Sequence, residues 1–220
     1  MTNLYTIAYH HQGILVVDKP YGVASQPTQG QTDTSDVYSH LSSRFAYVGM
    51  HHRLDQVSSG LLLFTTDRQH NATIASYFKE HRITRRYLAW VLGKPSSPTF
   101  PSTVESTHLW NSPLDGEVAI TRFSTIHTAM GMSLVDIYLE TGRTHQIRRH
   151  ASIHGFPLVG DHKYGGAAKK LWPRLALHAY RLEFMHPATQ EQVVVHSPIP
   201  SDLDKVLPIP THIRSTFNIP

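Results

Sequence analysis

The 220-residue sequence has no cysteine, so disulfide bonds, thiolate zinc sites and a cysteine nucleophile are all excluded. It has no run of about 18 uncharged apolar residues, the length at which a helix can cross a bilayer. Its start also lacks the basic segment and apolar run of a signal peptide. We therefore expect a cytoplasmic protein with no membrane partner. An apolar share of 40% suits a globular core.

Acidic residues are in modest deficit, with 16 Asp and Glu against 20 Lys and Arg, for a formal net charge of +4. The basic residues gather in three clusters: Arg82, Arg85 and Arg86; Arg143, Arg148 and Arg149; Lys169, Lys170 and Arg174. Each cluster alone is equally consistent with solvated surface charge. Arginine binds phosphate bidentately and stacks on bases, so three clusters beside motif-like segments favour a nucleic-acid partner.

Short apolar runs bounded by turn-forming residues predict strands interspersed with helices. We expect strands at 14–17, 61–64, 87–91 and 135–139, and a late hairpin that turns at Pro187. The sequence shows no internal repeat and no long linker. Residues 1–220 are therefore interpreted as a single mixed α+β domain.

Three helices are predicted from their start signals and apolar spacing. The first follows Asp33 and Thr34, with apolar residues at 37, 41 and 45. The second is capped by Asp67, and it should turn Ala72, Ala75 and Phe78 toward the core. The third spans 144–154 and stops at Gly155.

Asp55 lies in an unusual segment, HHRLDQVSSGLLLF at 51–64, where charged residues immediately precede a buried strand. A carboxylate there is either structural, as a turn cap or half of a salt bridge, or a covalent nucleophile held ionised. A nearby arginine lowers a carboxyl pKa without losing its own proton. Arg143 and Arg148, in LETGRTHQIRRH at 139–150, are the best candidates for that arginine. The residue types alone leave both readings open.

Six segments, in order along about residues 5–200, resemble the motifs of the RluA-type RNA pseudouridine synthases. HRLDQVSSG resembles the catalytic His-Arg-Leu-Asp-x-x-Thr-Ser-Gly motif, and TGRTHQIR resembles the later Thr-Gly-Arg-x-His-Gln-Ile/Leu-Arg motif. The other four are VVDKPYG, RRYLAWVLG, GDHKYGG and LALHAYRLEFMHPATQE. Ser58 replaces the usual threonine and Asp18 the usual asparagine. We also expect the N-terminal RNA-binding module of many relatives to be absent.

The resemblance implies a role for each of several residues. Asp55 would be the nucleophile that attacks the target uridine at ribose C1′ or at the base. Tyr87 would pack on the uracil and remove the C5 proton, although a core tyrosine is the plainer reading of that position. Arg148, otherwise an exposed helix charge, would pair with Asp55. The expected substrate-binding residues are His52, Arg53, Arg143, His145 and Gln146. Arg53 would displace the target nucleotide. His52 is expected to shape its turn and not to titrate in the reaction.

The implied fold is a mixed, largely antiparallel sheet with flanking helices and a basic catalytic cleft. The implied reaction is an isomerisation, so it needs no cofactor and no metal. The target base must leave its stack to be reached, at a cost of roughly a few kcal/mol. We therefore expect a monomeric enzyme whose partner is structured RNA, tRNA or rRNA. The sequence does not specify which RNA or which uridine.

Two other functions compete with this one. His150 and His154 have the i, i+4 spacing of helical metal ligands, but no His-Glu-x-x-His motif or carboxylate-rich ligand set accompanies them. A catalytically silent RNA-binding protein of the same fold is the stronger alternative. The presence of Asp55, Tyr87 and Arg148 together favours an active enzyme.

Overall fold

The computed structural model describes residues 4–27, 35–95 and 108–217. Its strands are β1 (Thr6–His11), β2 (Ile14–Lys19), β3 (Gly49–Met50), β4 (Ser59–Thr65), β5 (Thr84–Leu92), β6 (His108–Trp110), β7 (Thr121–Ala129), β8 (Met132–Leu139), β9 (Leu177–Met185) and β10 (Gln192–His196). Its α-helices are α1 (Val37–Ser42), α2 (Asn71–Lys79), α3 (Gln146–Ile153), α4 (Ser201–Asp204) and α5 (Thr211–Phe217). Strand pairing is antiparallel in both halves of the fold. The predicted class, mixed α+β with largely antiparallel strands, is confirmed.

The chain divides into two compact units, Met1–Arg85 with Ala179–Ser197 and Arg86–His178 with Pro198–Pro220. Strands of the first unit follow the order β1-β2-β4-β9, with β3 paired to β4 and β10 paired to β9. Strands of the second follow the order β5-β8-β7-β6. The interpretation of residues 1–220 as one domain stays a prediction.

The core of the first unit is built on β2 and β4, which form where the apolar runs predicted strands. Residues 14–17 of β2 and every residue of β4 are buried, and Val16 pairs with Leu63. Gly60 is needed where β4 passes β9, because its φ is +116° and a Cβ atom would overlap the backbone of Ala179. The strands are buried on both faces, which explains their continuous apolar sequence.

Helix α2 forms as predicted, but with a different inner face. Asp67 caps the 3₁₀ turn that leads into it, accepting a hydrogen bond from the Gln69 backbone N–H at 2.9 Å. Ala72 and Ala75 are exposed, and Ile74 and Tyr77 are buried instead. The expected alanine face was wrong because burying the larger side chains removes more apolar area from water. Phe78 lies at the edge of this face.

Helix α1 buries Val37 and Leu41, two of the three apolar positions that predicted it, whereas Phe45 lies beyond its last residue, Ser42, and is half-buried. Its N-cap is Asp36, whose Oδ1 accepts from the Ser39 backbone N–H at 2.8 Å. The expected start signals, Asp33 and Thr34, lie outside the described residues. A carboxylate at an N-cap satisfies one of the free N–H groups of the first turn.

The second unit is centred on β5, which pairs with β8 so that Tyr87 lies opposite Ile137. The strand predicted at 87–91 forms, and all five of these residues are buried. Helix α3 begins at Gln146, after His145 adopts a left-handed φ of 53°, and ends before Gly155, whose φ is +83°. No helix within the described ranges is long and apolar enough to cross a membrane.

Candidate active site

The segment that carries Asp55 connects β3 to β4 in the first unit, and its backbone is fixed on both sides of the aspartate. Ser25 Oγ donates to the Leu54 carbonyl at 2.7 Å and accepts from the Leu54 N–H at 3.1 Å. After the aspartate, the N–H and hydroxyl of Ser58 both donate to the Asp55 carbonyl, at 3.0 and 2.9 Å. Leu54 is buried and Asp55 half-buried, so the turn keeps the carboxylate at the surface of its unit.

Lys19 ties the early VVDKPYG segment to the end of the same turn. Its ammonium is fully buried, and it donates to the carbonyls of Pro20, Val23 and Ser58 at 3.1, 2.8 and 2.6 Å. Three carbonyl partners match the three N–H donors of a lysine, which offsets the cost of burying the charge. The segment therefore has a structural function that its sequence alone did not reveal.

A second link joins the same two segments. The Gly22 N–H donates to the Gln56 carbonyl, and the Gln56 side-chain amide donates back to the Gly22 carbonyl, both at 2.9 Å. The backbone on either side of Asp55 thus has few alternative conformations. A fixed backbone is what a nucleophile needs if its oxygen is to meet one atom of a substrate.

His51 and His52 stabilise the start of this turn as neutral rings. His52 Nε2 accepts from the Leu63 backbone N–H at 2.9 Å, and its ring lies 4.9 Å from that of Phe78. Burial, reinforced by the positive charge of Arg85, lowers the pKa of His52 to about 3. Burial lowers the pKa of His51 to about 4. His52 therefore shapes the turn, and its predicted contact with substrate would use only its apolar ring.

Arg53, the other predicted substrate-binding residue of this turn, is exposed. Among the residues that the structure describes, it makes no ion pair with an acidic side chain. An exposed guanidinium two residues before Asp55 retains its donors for an external partner.

Arg148 lies on α3 in the second unit and forms a bidentate ion pair with Asp161. Its Nε donates to Asp161 Oδ2 at 2.8 Å and its Nη2 to Oδ1 at 2.9 Å, with 6% and 1% of the two side chains exposed. The alternative reading of Arg148 as an exposed helix charge was wrong, because this arginine is buried against a specific partner. Asp161 belongs to GDHKYGG, the segment that carried the resemblance without an assigned residue role.

Asp161 is held ionised by several donors. Burial alone would raise the pKa of its carboxyl, but hydrogen bonds from Arg148 and from the backbone N–H groups of Tyr164 and Lys163 outweigh burial and lower the pKa. The Tyr164 ring also lies 5.1 Å from the Arg148 guanidinium carbon. Asp161 and Tyr164 therefore fix where the guanidinium points.

Gln146 was expected to bind substrate, and its contacts give it another function. Its Oε1 accepts from the Thr141 hydroxyl at 2.7 Å and from the Arg143 N–H at 2.9 Å. Its Nε2 donates to the Ile120 carbonyl and to Thr121 Oγ1, both at 2.9 Å. Both acceptor and both donor positions of this buried amide are used. Gln146 therefore anchors the start of α3 and has no hydrogen bond left for a ligand.

Arg143 and His145 lie at the surface of the turn before α3. Arg143 pairs with Glu117 and donates through Nε to the Val118 carbonyl at 3.1 Å. His145 Nδ1 lies 3.0 Å from the Tyr164 hydroxyl. Both side chains are exposed enough to meet a substrate, and an exposed ion pair such as Arg143–Glu117 is weak enough to exchange for a phosphate.

His150 and His154, the candidate metal ligands, contact other groups of the protein. His150 is fully buried, with Nδ1 2.8 Å from the Thr121 hydroxyl and Nε2 2.8 Å from the Ser112 carbonyl. His154 stacks on Trp110 at 5.9 Å. Within residues 4–27, 35–95 and 108–217, no group of three or more His, Cys, Asp or Glu residues is placed to hold a metal ion.

Most arginines of the three basic clusters pair with acidic side chains of the protein. These are Arg82 with Glu80, Arg86 with Asp136, Arg143 with Glu117, Arg148 with Asp161, Arg149 with Asp115 and Arg174 with Asp202. Arg148 and Arg174 are buried, so their expected availability to RNA phosphates was wrong. Lys169 and Lys170 remain exposed.

The comparisons with known proteins agree with the resemblance. Residues 13–152 match the family described as RNA pseudouridylate synthase. The uncharacterized RNA pseudouridine synthase YhcT of Bacillus subtilis is 35% identical over 90% of this chain and 69% of its own length. Ribosomal large subunit pseudouridine synthase D of Zymomonas mobilis is 34% identical over 90% of this chain and 70% of its own. The chain belongs to the RNA pseudouridylate synthase family and is an isomerase.

A solved structure supports the fold. Human RNA pseudouridylate synthase domain containing 1 aligns with a TM-score of 0.69 over 98% of this chain and 96% of its own, at 24% identity. At that identity, the likeness bears on the fold alone. Asp55 belongs to the first unit and Tyr87 and Arg148 to the second, and the pairing of Asp55 with Arg148 stays a prediction.

Proposed function

We propose that this enzyme converts uridine to pseudouridine in structured RNA with Asp55 as its nucleophile. The observation that carries the proposal is the fixed backbone around Asp55, where Ser25, Lys19 and Gln56 each make a separate hydrogen-bonded link. A buried ammonium would be a costly way to stabilise an ordinary surface turn. By fixing the backbone that carries Asp55, the ammonium keeps the Asp55 carboxylate in one place.

The reaction balances without any added group. The Asp55 carboxylate attacks ribose C1′ or the uracil, and the bond between N1 and C1′ breaks. The uracil turns, C5 forms the new bond to C1′, and the bond between the Asp55 oxygen and the substrate breaks, which restores the free carboxylate. Loss of the C5 proton and gain of a proton at N1 complete an isomerisation with no net change of atoms or electrons. No cofactor is required by this balance.

Tyr87 and Arg148 have distinct roles in this proposal. Tyr87, 6% exposed on β5, packs on the detached uracil and accepts the C5 proton. Arg148 pairs with the Asp55 carboxylate and orients it toward the substrate. Asp161 occupies Nε and Nη2 of Arg148. A guanidinium has five N–H donors, so this bidentate contact does not exhaust them.

We propose ribosomal RNA as the first substrate to test. Relatives from Zymomonas mobilis and Pseudomonas aeruginosa, at 34% and 31% identity, are named ribosomal large subunit pseudouridine synthase D. Transfer RNA is the second candidate. Arg53, Arg143 and His145 are the residues we assign to substrate contact, acting in a monomer.

The test is tritium release from C5-labelled uridine in transcribed rRNA and tRNA, with wild type and Asp55→Asn compared. The amide keeps the shape of the carboxylate and loses the nucleophile, so Asp55→Asn should release no tritium while RNA binding and the melting temperature stay near wild type. Full turnover by Asp55→Asn would overturn the assignment. If wild type binds RNA without releasing tritium from any substrate, the chain is a silent RNA-binding protein.

A further inference from the structure

A basic pocket lies on the loop between α3 and β9, entirely within the second unit. Its volume is about 670 Å³, and it is lined by His162, Lys169, Lys170, Leu171, Trp172 and Pro173. Residues 162–173 include three lysines and no acidic residue. The pocket is open to solvent, so an extended chain can enter it, and its lysines favour an anion.

The loop that forms this pocket is anchored at both ends. Asp161 begins it and pairs with Arg148, and buried Arg174 ends it and pairs with Asp202. Gly160 closes the base, with φ of +71° and no room for a Cβ atom beside the Arg174 carbonyl. The two ends of the loop backbone are therefore fixed before a ligand arrives, which reduces the entropy lost on binding.

A short 3₁₀ turn presents the two lysines. Ala168 is fully buried, and its N–H and carbonyl are bonded to Gly165 and Gly160 at 2.8 and 3.0 Å. Lys169 and Lys170 follow it and are exposed. Neither makes an ion pair with any acidic side chain in the part of the chain that the structure describes. They differ in this from the paired arginines, and their charge is available to phosphates.

Leu171, Trp172 and Pro173 form an apolar surface on one side of the pocket, against which a base could stack. Leu171 is 47% exposed, and the Trp172 ring beside it is half-buried. Aromatic rings next to lysines are how proteins hold unpaired bases together with their phosphates.

We propose that this pocket binds an unpaired nucleotide of the RNA, with its phosphate at Lys169 and Lys170 and its base against Trp172. This inference rests on the proposed function, because the bound RNA is the substrate RNA. It adds a contact with a nucleotide other than the target uridine. The loop starts at Asp161, which holds Arg148. A nucleotide bound here would therefore fix the strand relative to that arginine.

Tryptophan fluorescence provides a direct test on the full chain. Of the three tryptophans, Trp90 and Trp110 are 0% and 3% exposed, so quenching by an added base reports on Trp172. The probe is a short oligocytidylate, which contains no uridine and cannot react. We expect saturable quenching that is absent in Trp172→Leu, with anisotropy of a labelled oligonucleotide giving the affinity of every variant.

The lysines are tested through the salt dependence of that affinity. Replacing both by alanine (Lys169→Ala with Lys170→Ala) should reduce the slope of log affinity against log salt by about 0.7, the value for one phosphate on a single strand. The matched control changes two exposed lysines elsewhere, Lys79→Ala with Lys205→Ala, which removes the same charge and should leave the slope as in wild type.

Three results would overturn the pocket: no quenching, equal slopes for the two double variants, or equal affinity for polyglutamate or polyphosphate, which have charge without bases. Tritium release from uridine-containing RNA is scored separately. Quenching without tritium release would overturn the proposed function and leave the pocket standing. Tritium release without quenching would overturn the pocket and leave the proposed function standing.

Discussion

Arg148 and Asp161 form a buried bidentate ion pair, with Nε to Oδ2 at 2.8 Å and Nη2 to Oδ1 at 2.9 Å. Removing one member of such a pair costs about 3–5 kcal/mol, because the other charge stays buried. We predict this loss for Asp161→Asn, measured as the free energy of unfolding in urea. The value of kcat should fall more than RNA affinity, because Asp161 acts by placing Arg148.

The control is Asp115→Asn. Arg149 pairs with Asp115 in the same bidentate way, at 2.7 and 2.9 Å, but the Asp115 side chain is 74% exposed. Solvent screens that pair, so this variant should unfold at the wild-type urea concentration. Equal loss of stability in the two variants would contradict the argument from burial.

Arg148→Met should destabilise the protein as well as reduce turnover. The variant leaves the carboxylate of Asp161 buried without its partner, which should cost about 3–5 kcal/mol. The double variant Arg148→Met with Asp161→Leu removes both charges and should recover most of that stability. It should still release little tritium from C5-labelled RNA, since Arg148 is absent. Wild-type turnover by the stable double variant would show that Arg148 has no role in the reaction.

Stability should decline between pH 6.5 and about 4. In the folded protein, burial lowers the pKa of His52 to about 3 and that of His51 to about 4, from an ordinary value of 6.5. The unfolded chain therefore binds more protons in this interval, so this contribution is complete above pH 6.5 and is lost as the pH falls. Urea midpoints measured across the range test the prediction, and His51→Gln with His52→Gln should flatten the curve. If the double variant shows the same dependence of the urea midpoint on pH, these two histidines are not the cause of the decline in stability.

The sequence predicts the parts of this fold that depend on local patterns. The apolar runs of β2 and β4, the cap at Asp67 and the stop at Gly155 appear where they were expected. Each depends on residues close in sequence. Helices α4 and α5 were not predicted, because a four-residue helix and a seven-residue helix carry too little periodicity.

The site was harder to predict where it depends on tertiary contacts. The family motif selected Asp55, Tyr87 and Arg148, but the partner of Arg148 lies 13 residues away on an irregular loop. The Gln146 side-chain amide donates both of its N–H groups to Ile120 and Thr121, which lie more than 20 residues away. Sequence motifs identify which residue types recur, and they do not show which polar atoms are already bonded within the protein.

Asp55→Glu should reduce turnover strongly, although it keeps a carboxylate. One added methylene displaces the attacking oxygen by about an ångström, and a misplacement of that size costs about 100-fold in rate. The backbone cannot move to compensate, because Ser25 holds Leu54 on one side and Lys19 holds Ser58 on the other. The side chain is half-buried at the surface of its unit, so the unfolding free energy should stay within about 0.5 kcal/mol of wild type. Single-turnover tritium release at saturating RNA separates the chemical step from binding. Activity within a few-fold of wild type would show that the turn adapts, and it would remove the fixed backbone as the reason for assigning the nucleophile to Asp55.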